Sequence, residues 1–250
     1  MTSRHGQILD YGKTIQEEWQ VRSPLHALWR QWLIWRFRLF QQHRHRRLTL
    51  EHIGDVPILV LPDVFNPTLF HTSEALLAQF DAVGIRPGMT ILDMGTGSGI
   101  AAIAAARRGP RVVAVDISAE AVRCAQINVL LNRVDDRVEI RCGDLFEPVR
   151  GERFDLVLFN PPFYAGQARE VWEHAWRSDD ALDRFARDLS DYLTPMGRAV
   201  LIVSTTTVGV DEVLARHHLD SRLLWKRDMM NERLMVLEWT VPSSSKAEIW

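Results

Sequence analysis

The run Ile91-Leu92-Asp93-Met94-Gly95-Thr96-Gly97-Ser98-Gly99-Ile100, followed by the alanine-rich residues 101–106, leaves few folds open to this chain. An apolar strand ends in an acid, three glycines alternate, and a helix-forming stretch begins. Alternate glycines allow a tight strand-to-helix turn and let a ligand lie against bare backbone. The helix behind them offers N–H groups to a carboxylate or phosphate. A dinucleotide fingerprint requires G-x-G-x-x-G, whereas position 100 is Ile and the spacing is G-x-G-x-G. Asp93 would repel a pyrophosphate but attract an ammonium group, so a zwitterionic amino-acid moiety suits the loop better. A purely structural glycine turn is the competing reading.

From Thr90 onwards, strand-like runs alternate with helix-like segments, the pattern of a doubly wound, mostly parallel α/β sheet. The strand candidates are Thr90–Met94, Arg111–Asp116, 137–141, 154–160, 198–204, 223–226 and 234–241. The helical candidates are 99–108, Ala119–Leu131, 180–193 and 210–217. Pro87-Gly88 breaks the chain before this core. Upstream, Thr72 or Ser73 is placed to cap a helix over residues 74–80, with Glu74 in its first turn. Residues 56–61 read as a strand or a lining segment. The chain is therefore divided into a basic, aromatic-rich helical extension (1–55), a connecting segment and helix covering the ligand site (56–86), a core (87–241) and a flexible tail (242–250). With 250 residues, 46% of them hydrophobic, the chain is long enough to bury one sizeable core. No run of about 18 apolar residues and no apolar leader is present, so a cytoplasmic location is expected. Cys124 and Cys142 share no CxxC or His pairing, which argues for two buried thiols and no metal.

Further acids stand at the ends of the next strand candidates. Val112–Asp116 closes on a carboxylate that can accept from two ribose hydroxyls, and Ile117 beside it can pack on an adenine face. Cys142-Gly143-Asp144-Leu145 ends the third strand with an acid suited to an exocyclic amine. Each acid alone reads equally as a cap or turn residue. Three at successive strand ends, on the side where such sheets bind ligands, point to a nucleoside carrying an amino acid. The order Asp-x-Gly-x-Gly-x-Gly, Val-Asp, Gly-Asp and Asn-Pro-Pro-Phe resembles the class I S-adenosylmethionine methyltransferases over residues 88 to 241. That resemblance implies a Rossmann-like, seven-stranded sheet with a reversed last strand and S-adenosyl-L-methionine as cofactor. It implies Asp93, Gly95, Thr96, Gly97 and Gly99 at the methionine end, Asp116 and Ile117 at the nucleoside, and Asp144 and Leu145 at the adenine. Thr72 would cover the cofactor, and Asn160 would also touch it.

The apolar run 154–159 ends in Asn160-Pro161-Pro162-Phe163. Two prolines fix the backbone and lack N–H groups, presenting carbonyls as acceptors. An amide or arylamine nitrogen is planar because its lone pair is delocalised, as the amide rotation barrier of roughly 18–20 kcal/mol reports. Such a poor nucleophile must be oriented. If the Asn160 side-chain oxygen and the Pro161 carbonyl each accept one N–H, the lone pair faces the methyl donor, and Phe163 stacks on the acceptor plane. The tetrapeptide resembles the acceptor loop of protein-glutamine methyltransferases and of several adenine-N6 and guanine-N2 nucleic-acid methyltransferases. The release-factor enzymes' Glu-Pro and glycine-rich segment is missing after it, replaced by residues 165–180 with two Trp, placed to act as a lid. The N-terminal extension is also shorter than theirs.

Residues 1–55 carry a net charge of +4 and the remainder −6. Between Arg22 and Leu50 there is no acid, while Arg22, Arg30, Arg36, Arg38, Arg44, Arg46 and Arg47 interleave with Trp29, Trp32, Trp35, Phe37 and Phe40. Two main readings stand: an amphipathic helix packed on the core or on a second subunit, or arginines on RNA phosphates with a Trp for stacking. An anionic small substrate or acidic protein surface is a third. The sequence thus favours N-methyl transfer to a planar nitrogen of a macromolecule, with protein glutamine and nucleic-acid base as contenders. A small-molecule methyltransferase is the alternative, then a catalytically inactive cofactor-binding scaffold.

Overall fold

The central strands are apolar along almost their whole length, as strands covered on both faces must be. In the computed structural model, which describes residues 48–69, 72–162, 180–205, 207, 209–229 and 232–242, they are β3 (Thr90–Met94), β4 (Arg111–Asp116) and β6 (Phe154–Phe159). Ile91, Leu92, Ala114, Leu156, Val157 and Leu158 are almost fully buried there. A hairpin precedes them, β1 (Thr49–Ile53) and β2 (Val56–Val60), then α1 (Thr72–Leu77) and α2 (Phe80–Val83). The remaining elements are α3 (Ile100–Ala106), α4 (Ala119–Leu131), β5 (Val138–Cys142), α5 (Ala181–Asp188), β7 (Leu193–Ser204), α6 (Val210–Arg216), β8 (Asp220–Asp228) and β9 (Arg233–Thr240). The basic stretch from Arg22 to Arg47, Phe163 and residues 164–179 of the expected lid lie outside the described residues. Among the described residues no helix is long and apolar enough to cross a membrane.

The sheet has seven strands in the order β5-β4-β3-β6-β7-β9-β8, with β9 antiparallel to both its neighbours and the other pairings parallel. This is the doubly wound, Rossmann-like sheet with a reversed last strand that the sequence motifs imply. The chain builds outward from β3 through β4 to β5, then restarts on the other side of β3 with β6 and β7. Where the winding reverses, a crevice opens at the carboxyl ends of β3 and β6.

Several boundaries differ from expectation for local reasons. The division at residues 55/56 falls in the turn of the β1–β2 hairpin, whose register pairs Ile53 with Val56; Thr49–Ile53 is strand, not helical extension. The expected helix over 180–193 ends at Asp188 and gives way to a 3-10 turn, Leu189–Tyr192. The strand expected over 198–204 begins earlier, at Leu193, and β7 runs through Pro195 and Gly197: the register shifts between Phe154 and Leu156, and Pro195 is exposed, where its missing N–H is tolerated. Cys124 is buried as expected, but Cys142, at the end of an edge strand, is exposed.

The hairpin is attached to the core by amide side chains. Leu59 N–H donates to Asn128 Oδ1 (2.7 Å), while Asn128 Nδ2 donates to Leu59 O (2.7 Å) and to Ser98 O in the glycine loop (2.9 Å). Asn132 Nδ2 donates to Pro57 O (2.9 Å). Asn128 on α4 and Asn132, which caps its C-terminus, thus satisfy the strand edge that a third strand would otherwise cover. Asn128→Leu keeps the volume but leaves those backbone groups unpaired, so urea denaturation is expected to show a loss of about 2 kcal/mol or more.

Candidate active site

Asp93 sits at the crevice because β3 carries it there, and it is buried. Its Oδ2 accepts from Thr96 Oγ1 (2.6 Å) and from the N–H of Ala102 (3.1 Å), fastening the loop to the first turn of α3. Burial outweighs these bonds and pushes its pKa up to about 7. Gly99 has φ 85°, and a Cβ on it would lie 3.2 Å from Ala125 of α4, so close helix packing and backbone conformation both demand glycine. Gly97 has φ 57° and open space where a Cβ would stand. The loop does not present a full row of free N–H groups. Thr96 N–H donates to Val115 O (3.0 Å), Gly97 N–H to Asp116 Oδ2 (2.8 Å), Gly99 N–H to Thr96 O (2.9 Å), and Ala102 N–H to Asp93.

Asp116, at the end of β4, is held by its second oxygen as well: Oδ1 accepts from Ser118 N–H (2.9 Å). Burial again raises its pKa against these bonds. The Ile117 N–H also bonds this carboxylate, and with about four lone-pair sites on its two oxygens it retains capacity for a ligand donor. Ile117, beside it, is an exposed large apolar side chain. Beyond β5, Asp144 pairs with Arg184 of α5. Leu145 follows with φ 45°, a left-handed conformation unusual for a residue with a Cβ.

After β6, Asn160 is half-buried, Pro161 buried and Pro162 half-buried. Asn160 Nδ2 donates to Thr72 Oγ1 at 3.5 Å, a long bond, while Asn160 Oδ1 is buried with no hydrogen-bond partner among the described residues. Thr72 is the first residue of α1, buried and turned to Asn160; Ser73 beside it reaches the cavity.

These residues surround a cavity of about 340 Å³. Asp93, Gly95, Thr96, Gly97, Asp116, Ile117, Asp144, Leu145, Asn160 and Pro162 line it, whereas Thr72, Gly99 and Pro161 stand behind the wall. Sequence reasoning assigned residues 56–86 to cover the site and 165–180 to a lid, but it singled out no cavity contact in two parts of that wall. One is Asp63, Val64, Phe65, Pro67, Ser73 and Leu76; the other is Asp180, Ala181 and Arg184. The first carried a signal in its turn residues: Asp63 is left-handed (φ 64°), and Asn66 Oδ1 accepts from Thr68 N–H (3.0 Å) to shape the turn at Pro67. Five aspartates and one arginine face the cavity, an arrangement that favours a ligand with positive charge.

The methyltransferase small domain family matches residues 55–229. A ribosomal protein L11 methyltransferase of Desulfitobacterium hafniense is 42% identical over 106 residues, 42% of this chain and 34% of that protein. A putative protein N5-glutamine methyltransferase of Methanocaldococcus jannaschii is 30% identical over 65% of this chain and 82% of its own length. Among solved structures, the T. thermophilus 16S rRNA N2 G1207 methyltransferase, in complex with AdoMet and guanosine, superposes with a TM-score of 0.60 at 23% identity, over 77% of this chain and 50% of that one. The chain thus spans about a third of the L11 enzyme and about half of the rRNA enzyme.

Proposed function

Because the chain belongs to the methyltransferase small domain family, we propose that it transfers a methyl group from S-adenosyl-L-methionine to a planar amide or aromatic amine nitrogen of a macromolecule. The observation that carries this reading is Asn160 Oδ1, a buried acceptor without a donor on the wall of the cavity that Asp93, Asp116 and Asp144 also line. A buried polar atom left unpaired costs about 1–3 kcal/mol, and a ligand N–H would remove that cost.

The cavity fits the cofactor's parts. Gly95, Thr96 and Gly97 would cradle the methionine end, with Gly99 allowing the turn and Asp93 facing the ammonium. Asp116 would accept from the ribose through its remaining acceptor capacity, Ile117 and Leu145 would flank the adenine, and Asp144 would accept from its amine. Thr72 acts from behind Asn160. When bound, S-adenosyl-L-methionine supplies an electrophilic sulfonium methyl. Asn160 Oδ1 and the Pro161 carbonyl would accept the two N–H bonds of the acceptor, Pro162 would stiffen the loop, and Phe163 is proposed to stack on the acceptor plane. Methylation makes the nitrogen acidic, so its proton leaves without a strong base.

Protein glutamine and a nucleic-acid base share this geometry, in keeping with the glutamine and guanine-N2 enzymes among the similar proteins. The arginines from Arg22 to Arg47 would supply contacts to an RNA or other anionic partner, in a cytoplasmic setting. Calorimetry with S-adenosylhomocysteine is expected to show binding that Asp116→Ala weakens at least about tenfold, through loss of charge-assisted hydrogen bonds. Tritium transfer from labelled cofactor into cell extract should give a macromolecular product sensitive to either RNase or protease. Absence of binding overturns the cofactor reading, and label confined to small molecules overturns the acceptor reading.

A further inference from the structure

Helix α5 was expected from the sequence only as a helix with no stated role at the site, yet it reaches both ends of the cavity. Phe185 is fully buried, with its ring 5.3 Å from Phe146 and 4.5 Å from Phe159. Phe146 stands two residues after Asp144, and Phe159 stands one before Asn160. On another side of the same turn, Asp183 meets His217 Nε2 at 3.0 Å and accepts from Arg216 of α6. The backbone of residue 184 is therefore clamped between two anchored neighbours. From that fixed origin Arg184 lines the cavity and donates through Nη2 to Asp144 Oδ2.

We infer that Arg184 is a positioning residue of the adenine subsite, orienting Asp144 so that the site takes a 6-amino purine and rejects a 6-oxo one. A carboxylate is an acceptor only, and a planar guanidinium bound to one oxygen fixes its rotation and leaves the other oxygen for a ligand. A 6-amino group donates to that oxygen, whereas a 6-oxo group sets lone pairs against it. The two side chains are about one-third exposed, 36% and 34%, so the pair contributes little to stability on its own. Its place on the cavity wall gives it another use. Specificity arises because a purine that cannot donate leaves the held oxygen unpaired.

The inference rests on the cofactor reading above, with Asp144 at the adenine. Calorimetry compares S-adenosylhomocysteine with its hypoxanthine counterpart, in which a 6-oxo group replaces the 6-amino group, on the full chain and on Arg184→Met and Arg184→Lys. The parent is expected to prefer the adenine form. Arg184→Met should lower affinity for that form about tenfold, the worth of one charge-assisted hydrogen bond, and leave the hypoxanthine form unchanged, so the preference falls about tenfold. Arg184→Lys should restore most of the preference. Circular dichroism checks that each variant is folded, and Arg184→Gln replaces Arg184→Met if the latter is not. An unchanged preference, tighter binding of the adenine form, or an equal loss for both ligands overturns the positioning role alone. A parent chain that binds neither ligand overturns the cofactor reading and this inference together.

Discussion

Asn160→Ala is expected to lower methyl transfer about 10³-fold while leaving cofactor affinity within about twofold and stability equal to or above the parent's. The three effects have one origin. Asn160 Oδ1 is buried without a donor, so its removal takes away an unpaired acceptor, not a bond that holds the fold. Among the described residues its amide nitrogen makes only the long contact to Thr72. In the proposed reaction, however, this oxygen and the Pro161 carbonyl would decide which way the acceptor lone pair points, and orientation of a weak nucleophile can contribute up to about 7–11 kcal/mol in well-aligned cases. Single-turnover kinetics with saturating cofactor, together with urea denaturation, would check it. Unchanged turnover removes Asn160 from the mechanism, and a large loss of stability makes the residue structural.

That signature separates what could be read in the residue string from what could not. β3, β4 and α4 match their expected limits because each is bounded by strong local chemistry: apolar runs closed by Asp93-Met94 and by Asp116, and Ser118 accepting the Ala121 N–H at 3.3 Å to cap α4. The carboxylates at strand ends were legible for the same reason, since a parallel sheet places all its strand ends on one side. The cavity contacts of Asp63 and Phe65, the reach of Arg184 from α5, and the Asn128 link to Leu59 were not. Their partners lie 40 residues away for Arg184 with Asp144, and 69 for Asn128 with Leu59. An asparagine on a helix face gives no local sign that it completes a strand edge. The helix expected over 74–80 forms as Thr72–Leu77 and ends early through a backbone detail: Gln79 N–H closes on Leu76 O (3.0 Å), a tighter turn than the α-helix makes, and a new helix starts at Phe80.

Asp93→Asn is expected to be more stable than the parent at pH 8 and no more stable at pH 4. The parent's carboxyl is raised from 3.8 to about 7 by burial. Between those values the folded chain keeps a proton that the unfolded chain releases, so the residue makes the fold less stable as pH rises through the window. The penalty is absent below about 4 and complete above about 7. Each tenfold difference in proton affinity between the folded and unfolded chains corresponds to about 1.36 kcal/mol, which sets an upper bound of about 4 kcal/mol on the gain from asparagine. Asparagine retains an oxygen for Thr96 Oγ1 and the Ala102 N–H and never ionises. Urea denaturation at pH 4, 6 and 8 checks it; a stability difference that does not change with pH overturns the assignment of the proton to Asp93. The cofactor reading requires the opposite effect on binding. A negative Asp93 facing an ammonium group should bind S-adenosylhomocysteine more tightly at pH 8 than at pH 6, with a proton released on binding at the lower pH. The variant should bind more weakly and lose that pH dependence. A residue that destabilises the empty fold at neutral pH and strengthens ligand binding there is selected for the site, not for the core.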